Sequence, residues 1–137
     1  MPDLGLVVSE FNREITREME ERAEEHAGSL GAEVVEKVHV PGAYDSPLAA
    51  KRLCELDEVD AVVVLGVVIE GETDHDEVVV ESAASKLTDV AVEHDKPVTL
   101  GISGPGMTRA QAYERVVYAE RAVESAVEMV DALGDIG

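Results

Sequence analysis

The sequence predicts an α/β fold: a three-layer sandwich with a four-stranded parallel sheet flanked by helices. Three observations predict it. Apolar segments of strand length alternate with segments of helical period, strand then helix, four times over. Residues 61–69 (AVVVLGVVI) are apolar on both faces, the mark of a central parallel strand. The core must also be aliphatic, because 45% of the residues are hydrophobic but only 3% are aromatic. Val, Ala, Leu and Ile suit strands covered by helices.

The elements follow in order. Residues 4–8 (LGLVV) form a short apolar strand. Asn12 is placed to cap the helix that follows, along which Ile15, Met19, Ala23, Ala27 and Leu30 recur at helical spacing until Gly31 stops it. Residues 33–40 (EVVEKVHV) form a second strand, half polar and so expected near a sheet edge. A turn-rich loop, residues 40–47 (VPGAYDSP), leads to a short helix over about 46–56, with Leu48, Ala49 and Leu53 inward. After the central strand, EGETDHDE (residues 70–77) opens a third helix with Val79, Ala83, Leu87 and Val90 inward. Residues 97–102 (PVTLGI) give the fourth strand and SGPGM (103–107) a loop. Thr108 to Gln111 spells a capping box. The last helix turns Ala112, Val116, Ala119, Val123, Ala126 and Val130 inward. No low-complexity linker or fixed-period repeat breaks the pattern, so residues 1–137 are expected to form one domain.

Thirty acids against eleven bases give a formal charge of −19. Such a field repels nucleic acid and anionic membranes. The acids are spread along the whole chain, which suggests an acidic surface adapted to concentrated salt, where a short Debye length screens the self-repulsion. Cys54 is the lone cysteine, so neither an internal disulfide nor a cysteine-based metal site is expected. No apolar run approaches membrane-spanning length, and MPDLGLVVSE lacks a signal-peptide pattern. A soluble, cytoplasmic protein is expected.

In open α/β sheets ligands bind beyond the carboxyl ends of the strands. Four segments fall there: SEFN, VPGAYD, EGETDHDE and SGPGM. His75 is expected in the first turn of the third helix, after a Thr73 cap, where unpaired backbone N–H groups favour an anion. Imidazole titrates near neutrality and suits a group that both accepts and donates protons. Three other readings stand beside this one. His75 is a plain surface residue; Asp74, His75 and Asp76 hold a divalent cation; or the carboxylates, Asp76 and Glu77 above all, are a solvated face. The cation reading is the weakest, because neighbouring residues on a helix point in different directions, and no metal is expected. Arg115 is one of few cations and is suited either to an anionic substrate or to a salt bridge. Phe11, the single phenylalanine, sits at a strand end where it could stack on a flat heterocycle or join the core.

Together SEFN, VPGAYDSPLAAKRL, DAVVVLGVVIEGETDH and the later QAYER resemble lumazine synthase, the penultimate enzyme of riboflavin biosynthesis, over nearly the whole chain and in the right order. The resemblance implies a flavodoxin-like fold and the condensation of 5-amino-6-(D-ribitylamino)uracil with 3,4-dihydroxy-2-butanone 4-phosphate. It implies no cofactor. It also implies homopentamers, in many cases closed into a shell, with each active site between adjacent subunits. By motif position Phe11 would stack on the pyrimidine with Asn12 close by. Ala43, Tyr44 and Asp45 would line the ribityl pocket, Asp45 standing where the family usually has Glu. Val67, Val68 and Ile69 would border the pyrimidine, and Glu72 and Thr73 would bind phosphate. His75 would shuttle protons. Arg115 would anchor phosphate and Leu100 would border the pyrimidine, both from a neighbouring chain. Two alternatives remain at this point: the related archaeal-type riboflavin synthase, and a non-catalytic flavin-binding shell protein. The GETDH segment argues against the first, and Phe11, His75 and Arg115 together argue against the second.

Overall fold

The computed structural model describes residues 2–71 and 74–136. Four strands lie in one parallel sheet: β1 (Asp3–Ser9), β2 (Glu33–Val40), β3 (Ala61–Ile69) and β4 (Val98–Met107), in the order β2-β1-β3-β4. Among the described residues five α-helices cover it: α1 (Arg13–Ser29), α2 (Ser46–Cys54), α3 (Asp76–His94), α4 (Arg109–Glu114) and α5 (Tyr118–Gly134). The three-layer α/β sandwich expected from the alternation is therefore present. No described helix is long and apolar enough to cross a membrane.

Strand alternation sorts the core into two halves. Leu4, Leu6 and Val8 of β1, with Ala61, Val63, Leu65 and Val67 of β3, pack against α1, α4 and α5 through Ile15, Met19, Ala112, Ala119 and Val123. Val7, Val62 and Val64 face the opposite way, onto Ala50 and Leu53 of α2 and Leu87 and Val90 of α3. Burying each such Val or Leu contributes roughly 1.5–3 kcal/mol. β3 is buried on both faces over nearly its whole length, and half-polar β2 is an edge.

The amino ends of the strands are knitted together. The Asp60 N–H donates to the Asp3 carbonyl (2.7 Å), the Val62 N–H to the Pro97 carbonyl (2.9 Å) and the Glu33 N–H to the Pro2 carbonyl (3.2 Å). The Lys96 ammonium donates to the carbonyls of Cys54 (2.8 Å) and Leu56 (2.9 Å), so one side chain ties the end of α2 to the turn between α3 and β4.

Several elements differ from the expectation. SGPGM continues β4 instead of forming a loop: Ser103 pairs with Val67 and Met107 with Ile69, across a register shift between Val67 and Ile69. Pro105, which has no N–H, falls in that irregular stretch of an edge strand, where no register partner on β3 is lost. The last helical segment is two helices, α4 and α5, separated at residues 115–117. α2 stops at Cys54, and Leu48 is 65% exposed instead of inward. Leu30 follows the end of α1 and is also exposed. Asn12 occupies the cap position of α1, but in left-handed backbone (φ 61°) and without a side-chain cap bond. Its carbonyl accepts from Ile15 (2.9 Å) and Thr16 (3.0 Å) instead.

Candidate active site

The four strands end on one rim, and three chain segments meet there around a single pocket. Phe11 follows β1, Gly42, Ala43 and Tyr44 follow β2, and Val67, Val68 and Ile69 end β3; Asp76 and Val79 of α3 close the fourth side. The pocket encloses about 580 Å³ with its open mouth included.

Local bonds hold each wall. The Glu10 N–H donates to the Val40 carbonyl (2.7 Å) and the Phe11 N–H to the Pro41 carbonyl (3.1 Å), which stitches the turn after β1 to the end of β2. Asp45 is exposed, and its carboxylate accepts from the Gly42 N–H at 3.1 Å. Its own N–H donates to the Gly42 carbonyl (3.0 Å), so Asp45 locks the 3₁₀ turn that presents Ala43 and Tyr44. Val67 and Ile69 are buried, whereas Phe11 is 48% exposed and Tyr44 65% exposed, both open to a ligand. Gly104 lies against the Val68 carbonyl with φ 103°; a Cβ there would collide with that oxygen, so glycine lets β4 back the pocket floor.

The structure brings Phe11, Ala43, Tyr44, Val67, Val68 and Ile69 to one pocket. Asn12 sits beside it, its amide oxygen accepting from Arg109 Nη2 at 3.2 Å; Arg109 also pairs with Glu14 at 2.7 Å. His75 is exposed and stands at the cap position of α3, one residue before Asp76 and not inside the first turn. Glu72 and Thr73, the expected phosphate ligands, lie outside the described residues, as does the expected Thr73 cap.

A single chain does not bring Arg115 or Leu100 to the pocket. Arg115 is half-buried in the turn between α4 and α5, with Nη1 directed at Met107 Sδ at 3.6 Å. Leu100 is 48% exposed in a separate shallow groove with Thr99, Tyr118 and Arg121, whose guanidinium lies 4.8 Å from the Tyr118 ring centre.

Sequence reasoning missed Gly42, Asp76 and Val79 as lining residues. Val79 was recognised as inward-facing, and its position in the first turn of α3 could have placed it. Asp76 was read as solvated face, yet it is the one carboxylate among the described residues lining the pocket. Among the described residues no group of three or more His, Cys, Asp or Glu side chains could hold a metal ion.

An open parallel sheet with an apolar, aromatic-edged pocket at its carboxyl rim defines an α/β protein built to hold a flat small molecule. Residues 2–134 match the family described as 6,7-dimethyl-8-ribityllumazine synthase. A protein of that name from Methanocaldococcus jannaschii is 64% identical over 133 residues, covering 97% of this chain and 94% of its own. That from Methanococcus aeolicus is 60% identical over 136 residues, covering 99% of this chain and 100% of its own. That from Methanoculleus marisnigri is 63% identical over 130 residues, covering 95% and 96%. The chain belongs to the 6,7-dimethyl-8-ribityllumazine synthase family.

Proposed function

We propose that the rim pocket joins 5-amino-6-(D-ribitylamino)uracil to 3,4-dihydroxy-2-butanone 4-phosphate, giving 6,7-dimethyl-8-ribityllumazine, phosphate and two waters, as a transferase of riboflavin biosynthesis. The observation that carries this reading is the meeting of Phe11, Ala43, Tyr44 and Val67 to Ile69 around one pocket, in a chain that matches the family from residue 2 to residue 134.

The pyrimidine stacks on the half-exposed Phe11 ring, with Val67, Val68 and Ile69 along its edge and Leu100 of a neighbouring copy opposite. The ribityl chain runs past Ala43 and Tyr44 over the turn that Asp45 locks, with Asn12 at its side. The substrate amine attacks the butanone carbonyl to give a carbinolamine and then an imine, with loss of the first water. Phosphate leaves by elimination, ring closure follows, and a second water is lost. Each step moves a proton, and His75 at the mouth is the shuttle. Glu72, Thr73 and the neighbour's Arg115 hold the phosphate. No covalent enzyme intermediate is needed, and much of the acceleration comes from holding two reactants together.

Two features support shared sites in a homo-oligomer, a pentamer or a closed shell. Leu100 is exposed in a groove separate from its own chain's pocket, and Arg115 is not among the described residues lining that pocket. The charge of −19 supports a protein of salt-rich cytoplasm, where a Debye length of about 3 Å at 1 M screens the repulsion.

The test is to mix both substrates with purified protein across a range of salt and follow lumazine absorbance. Turnover is expected, and His75→Ala should slow it by roughly 10²–10⁴ with little change in KM. Tight flavin binding without turnover at any salt concentration would overturn the reading.

A further inference from the structure

We infer that Glu20 is a positioning residue: acting through Arg13 and His39, its buried carboxylate sets how far apart the Phe11 wall and the 42–44 wall of the pocket stand. This rests on the reading of the pocket given above.

Glu20 lies on α1, facing edge strand β2, and is the one charged residue that is buried among the described residues. A carboxylate out of water is costly unless donors surround it. His39 Nε2 (3.0 Å from Oε1) and Lys37 Nζ (3.2 Å from Oε2) hydrogen-bond it, and Arg13 adds an ion pair, its Nη1 lying 2.8 Å from Oε1 without the alignment of a hydrogen bond. Lys37 is shared with Glu24 at 2.7 Å, and Arg13 Nε lies 3.8 Å from Glu10. Burial pushes the Glu20 carboxyl up, but the hydrogen bonds from His39 and Lys37 and the charge of Arg13 outweigh it and hold the group below its ordinary value.

An apolar contact would also hold α1 on β2, and replacing a buried ion pair with well-packed hydrophobic residues is often neutral or stabilising. What the ionic node adds is direction. Arg13 is the first residue of α1, two after Phe11, and His39 is three before Gly42. One carboxylate therefore grips the two chain segments that carry the Phe11 and 42–44 walls of the pocket. Two backbone bonds join the same segments, from Glu10 to Val40 and from Phe11 to Pro41. These four links triangulate the spacing into which the pyrimidine and ribityl chain must fit. Arg115, the proposed phosphate anchor, is not among the partners of Glu20.

Steady-state kinetics with each substrate varied in turn provides the test. Glu20→Gln keeps shape and removes charge; it should raise KM for the ribityl substrate about tenfold, since small displacements remote from the chemistry can cost up to about 10². Turnover number and KM for the phosphate substrate should stay within about twofold. Should Glu20→Gln fail to fold, Arg13→Gln decides, because it leaves Glu20 with His39 and Lys37 and releases its link to the Phe11 segment, along with the longer Arg13–Glu10 pair within that segment; the same selective rise is expected. Arg22→Gln breaks the Arg22–Glu120 pair (3.1 Å) between α1 and α5, and should lower the melting temperature while moving neither KM. Folded variants with an unchanged KM for the ribityl substrate, or with both KM values raised equally, would overturn the positioning role and leave the proposed function standing. Wild-type protein that forms no lumazine would overturn both.

Discussion

Replacing Phe11 with alanine should weaken binding of the ribityl substrate by about thirtyfold while leaving the protein folded. The ring is 48% exposed, so about half of a side chain of roughly 200 Å² faces the pocket mouth. A stacked pyrimidine covers one face, roughly 50 Å², worth about 1.3 kcal/mol at about 25 cal/mol per Å². Ring–ring geometry adds about 0.5–1.5 kcal/mol beyond area. The total of about 2 kcal/mol corresponds to roughly thirtyfold in affinity. The assay is KM for the ribityl substrate from lumazine absorbance, at saturating phosphate substrate, alongside a thermal melt. About half of the residue is packed, so the melt should fall by several degrees without collapsing. An unchanged KM in a folded protein would refute the stacking role; a collapsed melt would show the ring to be core.

Three further predictions concern other parts of the molecule. Arg115→Ala should raise KM for the phosphate substrate by about 10–100-fold, the worth of a charge-assisted contact, with a much smaller change for the ribityl substrate; equal losses would remove Arg115 from that role. Gly101→Ala should destabilise by about 1–3 kcal/mol in urea unfolding, because the added Cβ would lie 2.7 Å from Leu65 Cδ2, 2.8 Å from the Val64 carbonyl and 3.1 Å from Ala122 Cβ; a neutral result would mean β4 and α5 separate freely. The Glu20 carboxyl is held below its ordinary value of 4.5, so the folded state binds fewer protons there than the unfolded chain. Its stabilisation is present above pH 4.5 and is lost as pH falls through the folded value, so the stability gap between wild type and Glu20→Gln should narrow on acidification below about 4.5.

What the sequence disclosed followed from how strongly burial constrained each segment. Residues 61–69 were legible to the residue because β3 is buried on both faces between charged Asp60 and Glu70. The polar residues of β2 revealed its place at the edge. The break at residues 115–117 was hidden, because Ala112, Val116 and Ala119 stay buried across it and the apolar period runs on unbroken. SGPGM read as a loop because its glycines and proline are turn residues, and only pairing with β3 makes them strand. At the site, motif positions led to Phe11, Ala43, Tyr44 and the end of β3. Asp76 escaped because a carboxylate in a run of acids has no sequence mark to tell it from solvated neighbours. Glu20 escaped as well: its burial depends on Lys37 and His39 from another element, and no local pattern announces that pairing.

The grip of Lys96 on the carbonyls of Cys54 and Leu56 makes the two ends of this sheet unequal in their tolerance of length changes. An extra residue inserted between Cys54 and Leu56 would part the two carbonyls that one ammonium holds. An extra residue in the turn after β2 would only deepen or narrow the cavity it borders. Variation in chain length is thus channelled to the end where ligands are chosen, and a protein of this build can change what it accepts without renegotiating how it stands.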